Sequence, residues 1–172
     1  MTESIETEAR AAYREFVAAR DRAEAQELRW DKLADFYTDD GVTIDPAWGR
    51  IEGRETIRAY CLESMAGLTE YGWWSRENWT MVEGHRLVSQ WDQIVGTLAD
   101  GTEASVPCAS ILYYAGDGLF CYEYQMVNLA QIGSALASVG WQPNPLLNPP
   151  PNNPNYDTSL PPRWAHLERS GE

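Results

Sequence analysis

A chain of 172 residues with 44% apolar and 23% charged side chains has the composition of one globular domain with a sizeable core. Its net charge of −13 argues against a nucleic-acid partner, which calls for Lys and Arg, and suits an uncharged or cationic ligand. Cys61, Cys108 and Cys121 are scattered, His85 and His166 lie far apart, and no CxxC spacing occurs, so no disulfide framework, metal or cofactor is expected and a reducing cytoplasm fits.

The N-terminus, MTESIETEAR, is acidic and unlike a signal peptide. No apolar run approaches the ~18 residues of a membrane span, so no membrane partner is expected. Lys32 is the single lysine among thirteen basic residues, a bias of GC-rich bacterial genomes. Eight Trp and nine Tyr are many for this length, and suit a core, a dimer surface or a pocket.

In chain order, residues 5–27 carry Ile5, Ala9, Ala12, Tyr13, Phe16, Val17 and Ala23 near helical spacing. A second, short helix is predicted over 30–38, stopped by Asp39-Asp40-Gly41. A short strand follows at 42–45, and a third helix near 53–66. Residues 73–83 alternate loosely. Strands are then predicted over 86–98, 104–115 and 119–128, joined at ADGT and GDG turns. A small helix over 129–139 closes the domain, 1–139. Residues 140–172 hold most of the prolines and exclude helix or central strand. Their Trp141, Leu146, Leu147, Tyr156, Leu160 and Trp164 predict an extended arm packed on the domain or on a partner chain. The order is α+β: three N-terminal helices against a curved, mostly antiparallel sheet, which leaves a hollow for a small molecule.

The segment DFYTDDGVTIDPAWGRIEGRETIRAY resembles the opening of the NTF2-like superfamily in its SnoaL-like and ketosteroid-isomerase-like branches. There a helix ends at Asp-Asp, a strand ends in Asp-Pro, and Gly-Arg-Glu starts the third helix. The resemblance covers roughly residues 5–135, leaves the proline arm outside, and implies a cone-shaped fold. Such proteins include isomerases, cyclases, dehydratases, epoxide hydrolases and non-catalytic binders. They commonly pair through the outer sheet face, so a homodimer is expected.

By this resemblance Asp45 stands at the general base. An Asp in an apolar pocket can move a proton between carbons beside a carbonyl. The isomerase branch divides base and donor roles between carboxyls whose surroundings tune them apart. As a bland alternative, an Asp-Pro step starts a turn by accepting nearby backbone N–H groups. The isomerase oxyanion donors are a helix Tyr and a strand Asp; here the strand position falls on Ser110, and the helix position on Tyr13 if about two extra helical turns follow it, or near Asp21 or Arg22 without them. Strand alternation turns Trp91, Gln93 and Val95, then Cys108, Ser110 and Leu112, then Glu123, Gln125 and Val127 toward the hollow, with Asp92 outward. Glu123 becomes a second acid opposite Asp45, while Trp48 and Tyr60 are placed at the pocket mouth. No Arg occurs in residues 87–162, which removes the Asp-Arg-Asp set of the epoxide-hydrolase branch, and neither histidine is placed for a dehydratase of the His-using type.

The function expected is therefore acid/base chemistry of isomerase, dehydratase or cyclase type on a small hydrophobic cyclic molecule such as a polyketide, terpenoid or steroid. Asp45 is the base, with Glu123, Ser110 and Tyr13 as further catalytic candidates. The substrate contacts are Trp48, Tyr60, Trp91, Gln93, Val95, Cys108, Leu112, Gln125 and Val127. The alternatives are a non-catalytic binding protein and a hydrolase that activates water between Asp45 and Glu123.

Overall fold

The Ser4 hydroxyl accepts the Thr7 backbone N–H at 3.3 Å, which caps helix α1 (Ile5–Glu24). The computed structural model describes residues 4–168. Helix α1 buries Ala9, Ala12, Tyr13, Phe16, Ala19 and Ala23 along one stripe. Phe16 meets Phe36, Tyr37 and Phe120 edge-on, with ring centroids 5.6 to 6.2 Å apart.

The expected second helix is a short 3-10 helix, Trp30–Phe36. It ends early because Tyr37 is already extended and opens strand β1 (Tyr37–Asp45). Asp39-Asp40-Gly41 is thus no helix stop but a bulge inside β1. Pairing with β6 (Leu119–Met126) passes from Tyr37 opposite Phe120 to Val42 opposite Tyr122, five residues against two. A Cβ on Gly41 would meet the Thr38 carbonyl oxygen at 3.0 Å, so the bulge calls for a glycine.

Strand β2 (Gly49–Glu52), too short to be legible in the sequence, returns antiparallel beside β1. Helix α2 (Arg54–Met65) follows, then β3 (Trp74–Glu83), β4 (Arg86–Thr97), β5 (Glu103–Gly116), β6 and helix α3 (Leu129–Ser138). The six strands are ordered β2-β1-β6-β5-β4-β3, with only β1 and β6 parallel. Irregularities at Glu77/Trp79, Ile94/Gly96 and Tyr113–Gly116 bend the long strands. The concave face holds the main core, where Leu87, Leu112, Tyr114 and Phe120 pack on α1 and on Ile57 of α2. At the other end Ile132 of α3 packs on Trp91, Val95, Val106 and Cys108. Among the described residues no helix is long and apolar enough to cross a membrane.

The arm, expected over 140–172, is described to Glu168; 169–172 lie outside the described residues. It packs on its own domain. Asn144 donates to the Gly67 carbonyl at 2.6 Å, just past α2, and Asn148 to that of Glu63 at 3.1 Å, in the last turn of α2. The arm then crosses the β2 edge, where the Arg50 N–H donates to Asn155 at 2.6 Å. Gly49, at φ +76°, permits this approach, since a Cβ there would lie 2.5 Å from the Asn155 oxygen. Beyond it the Arg50 guanidinium donates to the carbonyls of Asp157 and Ser159, and Tyr122 to that of Thr158. Leu160 and Trp164 finally cover Val42, Ile44, Cys121 and Tyr122 on the convex face. The Trp164 indole donates to Asp40 at 3.1 Å.

This packing makes the arm part of the folded core. Leu160→Ala should lower stability by about 2–4 kcal/mol, the usual loss for a buried leucine, measured by urea unfolding. A loss below about 0.5 kcal/mol, as for a surface site, would contradict it.

Candidate functional site

A cavity of about 460 Å³ opens between the concave sheet face and the helices, within the range of small-molecule sites. Helix α1 contributes Tyr13, Phe16, Arg20 and Glu24, and the 3-10 turn contributes Trp30 and Leu33. Helix α2 contributes Ile57, Tyr60 and Cys61. The sheet supplies Tyr37, Thr43, Asp45, Trp91, Gln93, Ser110, Glu123 and Gln125. Val127, Leu129 and Ile132 close one side, and Leu147 to Pro150 of the arm another.

Asp45 ends β1 at this cavity. Its Oδ1 accepts the backbone N–H groups of Ala47 and Trp48, each at 2.7 Å, the turn that an Asp-Pro step makes. Its Oδ2 accepts the Tyr60 hydroxyl at 2.9 Å. Burial and the Asp45 charge push the Tyr60 phenol well up, so it stays a donor. Trp48 packs edge-on against Tyr60, with centroids 5.8 Å apart. One lone pair of Oδ2 remains for another proton.

Glu123 is only 5% exposed. Its Oε2 accepts the hydroxyl of Tyr37 and, at 3.4 Å, that of Thr43, its neighbour across the parallel pair. Burial raises the Glu123 carboxyl above its ordinary range, while Tyr37, Gln125, Ser110 and Arg20 pull it back. Burial and Glu123 together push the Tyr37 phenol well up.

Of the other residues singled out in the sequence, Tyr13 lines the cavity, yet its hydroxyl donates to Glu77 on β3 at 3.1 Å. Ser110 accepts the Trp91 indole N–H at 3.2 Å, which leaves its own hydrogen to give. Gln93 donates to the carbonyls of Trp74 and Ile94 at 2.9 and 3.1 Å. Gln125, Val127, Trp48, Tyr60 and Trp91 also line the cavity. Val95, Cys108 and Leu112 do not. Leu112 is sealed in the main core against α1, and Val95 and Cys108 lie under α3. Alternation turned them to the concave face, but helices cover that face at both ends. Sequence reasoning missed Tyr37, Thr43, Arg20 and Glu24. The first two were hidden because β1 starts earlier than its apolar run. Arg20 and Glu24 read as the charged face of a helix; their position one turn apart was the available signal.

Arg20 lies 3.4 Å from Asp21, 3.8 Å from Glu24 and 3.7 Å from Glu77. Glu24 accepts the Ser75 backbone N–H at 2.9 Å. Burial pushes its carboxyl up to about 7, against the pull of Arg20 and Ser75.

The SnoaL-like domain family matches residues 13–122, more than half of the chain, and the protein belongs to that family. No curated protein matches the chain. Among solved structures, one described as a SnoaL-like polyketide cyclase from Jannaschia sp. superposes with a TM-score of 0.61 at 17% identity, over 80% of this chain and 97% of that one. A protein of ketosteroid-isomerase-like fold from Catenulispora acidiphila, in complex with trimethylamine, gives 0.55 at 20% identity, over 74% and 94%. An epoxide hydrolase from M. tuberculosis gives 0.57 at 16%, over 79% and 89%. At these identities the likeness establishes the NTF2-like fold.

Glu24 and Glu123 hold protons more tightly folded than unfolded. Their contribution to stability is fully present below the unfolded value near 4.5 and is lost as pH rises through the folded one, about 7 for Glu24. The stability of the wild type relative to Glu24→Gln should therefore fall between pH about 4.5 and about 7 and level off above, read by urea unfolding across that range. A difference independent of pH would show that Glu24 titrates normally.

Proposed function

We propose that this protein is a cofactor-independent acid/base enzyme acting on a small hydrophobic cyclic molecule of polyketide, terpenoid or steroid type. The observation that carries the reading is a pair of carboxyls in one apolar cavity, held in unlike surroundings. Asp45 only accepts hydrogen bonds and takes the part of base. Glu123, which burial inclines to the neutral form, takes the part of acid. Ser110 is the donor that steadies the ligand, since the Tyr13 hydroxyl goes to Glu77. Isomerisation, dehydration and cyclisation share this equipment. In this reading the protein works in the cytoplasm. A homodimer would use the part of the convex face that the arm leaves open, where Trp79 and Met81 are 49% and 64% exposed.

A second reading is favoured by one contact set. The two N–H bonds to Oδ1 of Asp45 are what a purely structural turn aspartate makes. On that reading the cavity binds without reaction. Turnover separates the two. With a substrate found by screening cyclic ketones and alcohols, Asp45→Asn and Glu123→Gln should each lower kcat by about 10²–10⁴-fold, the usual share of a general acid or base. Full turnover by Asp45→Asn would remove the base assignment.

A further inference from the structure

The charge inventory of the cavity is one-sided. Eight aromatic side chains line it, and Arg20 is the one Lys, Arg or His on its wall among the described residues. Arg20 is already faced by Asp21, Glu24 and Glu77. Asp45 and Glu123 have no ion-pair partner among the described residues; their contacts are with hydroxyls and backbone N–H groups. Glu123 is buried on the cavity wall, only 5% exposed. A buried carboxyl without a counter-ion, as at Glu123, is costly to ionise unless a positive charge arrives. Aromatic rings add to the same preference, since their quadrupoles attract cations and repel anions. Meanwhile the hydroxyls of Tyr13, Tyr37 and Tyr60 are all given to protein carboxylates, which leaves few donors for a developing oxyanion.

We infer that the cavity is built to hold its ligand in a cationic form: a small hydrophobic ring bearing positive charge against Trp48, Tyr60 and Trp91, with Asp45 and Glu123 as counter-charges. The inference rests on the acid/base reading and names the charge that its reaction develops. For an isomerisation, Glu123 transfers its proton to one carbon of a ligand double bond. The π pair makes the new C–H bond, and the other carbon is left positive. Asp45 then takes a proton from the next carbon, whose C–H pair becomes the shifted double bond. The ligand keeps its formula, and the proton that left Glu123 is replaced by the one on Asp45 through solvent exchange. Between the two transfers a cation faces two carboxylates.

A permanent cation therefore resembles that intermediate, and its neutral carbon isostere does not. The probes are 4-hydroxy-1,1-dimethylpiperidinium and 4,4-dimethylcyclohexanol, titrated at physiological ionic strength and neutral pH. The readout is the indole N–H resonances of the tryptophans in the full chain. The expected result is that the cation binds at least about tenfold more tightly, and that Asp45→Asn and Glu123→Gln each shrink this ratio. Equal or tighter binding of the alcohol by the wild type overturns the inference and leaves the small-molecule reading standing. A cation preference that both variants keep in full also overturns it, because it would then come from the net negative charge of the whole chain. Binding of neither probe would overturn the inference together with the reading it rests on. The wild-type comparison decides the matter even where a variant fails to fold.

Discussion

The parallel pairing of β1 with β6 is the constraint on which the other features depend. It joins the first long strand to the last, although the other four strands and a helix lie between them in the chain. Parallel partners cannot be joined by a tight turn, and here everything from β2 to β5 forms the connection. On the concave side the pairing sets Thr43 beside Glu123 and delivers Tyr37 to the same carboxylate. On the convex side it sets Val42 and Ile44 beside Cys121 and Tyr122, the apolar strip that the arm covers. The bulge at Asp39 to Gly41 bends β1 between these contacts, so that its end reaches the cavity at Asp45.

Burial then sets the two acids apart. Asp45 sits on a turn, and its hydrogen bonds come from backbone groups and from Tyr60. Glu123 sits in mid-strand beneath helices, where desolvation outweighs its hydroxyl partners. Two carboxyls on the wall of one cavity thus stand in unlike surroundings. The aromatic lining strengthens the difference, because it excludes water without supplying a counter-charge.

The proline-rich arm is governed by the same demands of burial. Prolines cannot donate to a sheet, so the arm does not add a strand. Besides the one backbone bond from the Arg50 N–H to Asn155, it is fastened by side chains: Asn144, Asn148, Arg50, Tyr122 and Trp164 each make one or more of its hydrogen bonds. In passing it closes the cavity with Leu147 to Pro150 and covers part of the convex sheet face. The site and the surface of this protein are therefore both shaped by a segment outside its family domain.

Much of this was legible in the chain itself. The helical spacing of Ala9, Ala12, Tyr13 and Phe16, the alternation of the long strands and the glycine turns all report local geometry, and local geometry is what periodicity encodes. The same alternation identified Ser110, Glu123 and Gln125 as residues on the concave face, where the structure has them, and the Asp-Pro step marked Asp45. Alternation failed for Val95, Cys108 and Leu112, because a strand pattern tells which face a residue is on and not what covers that face. Tyr37 and Thr43 were not legible, since their meeting with Glu123 is made by a parallel pairing across eighty residues and more. The sequence by itself determined the long helices and strands, their order and the faces their side chains take, all consequences of backbone stereochemistry and hydrophobic period. Only the tertiary structure decided which acid is desolvated, which hydroxyl it receives and where the arm lies, because burial and partnership belong to residues far apart in the chain.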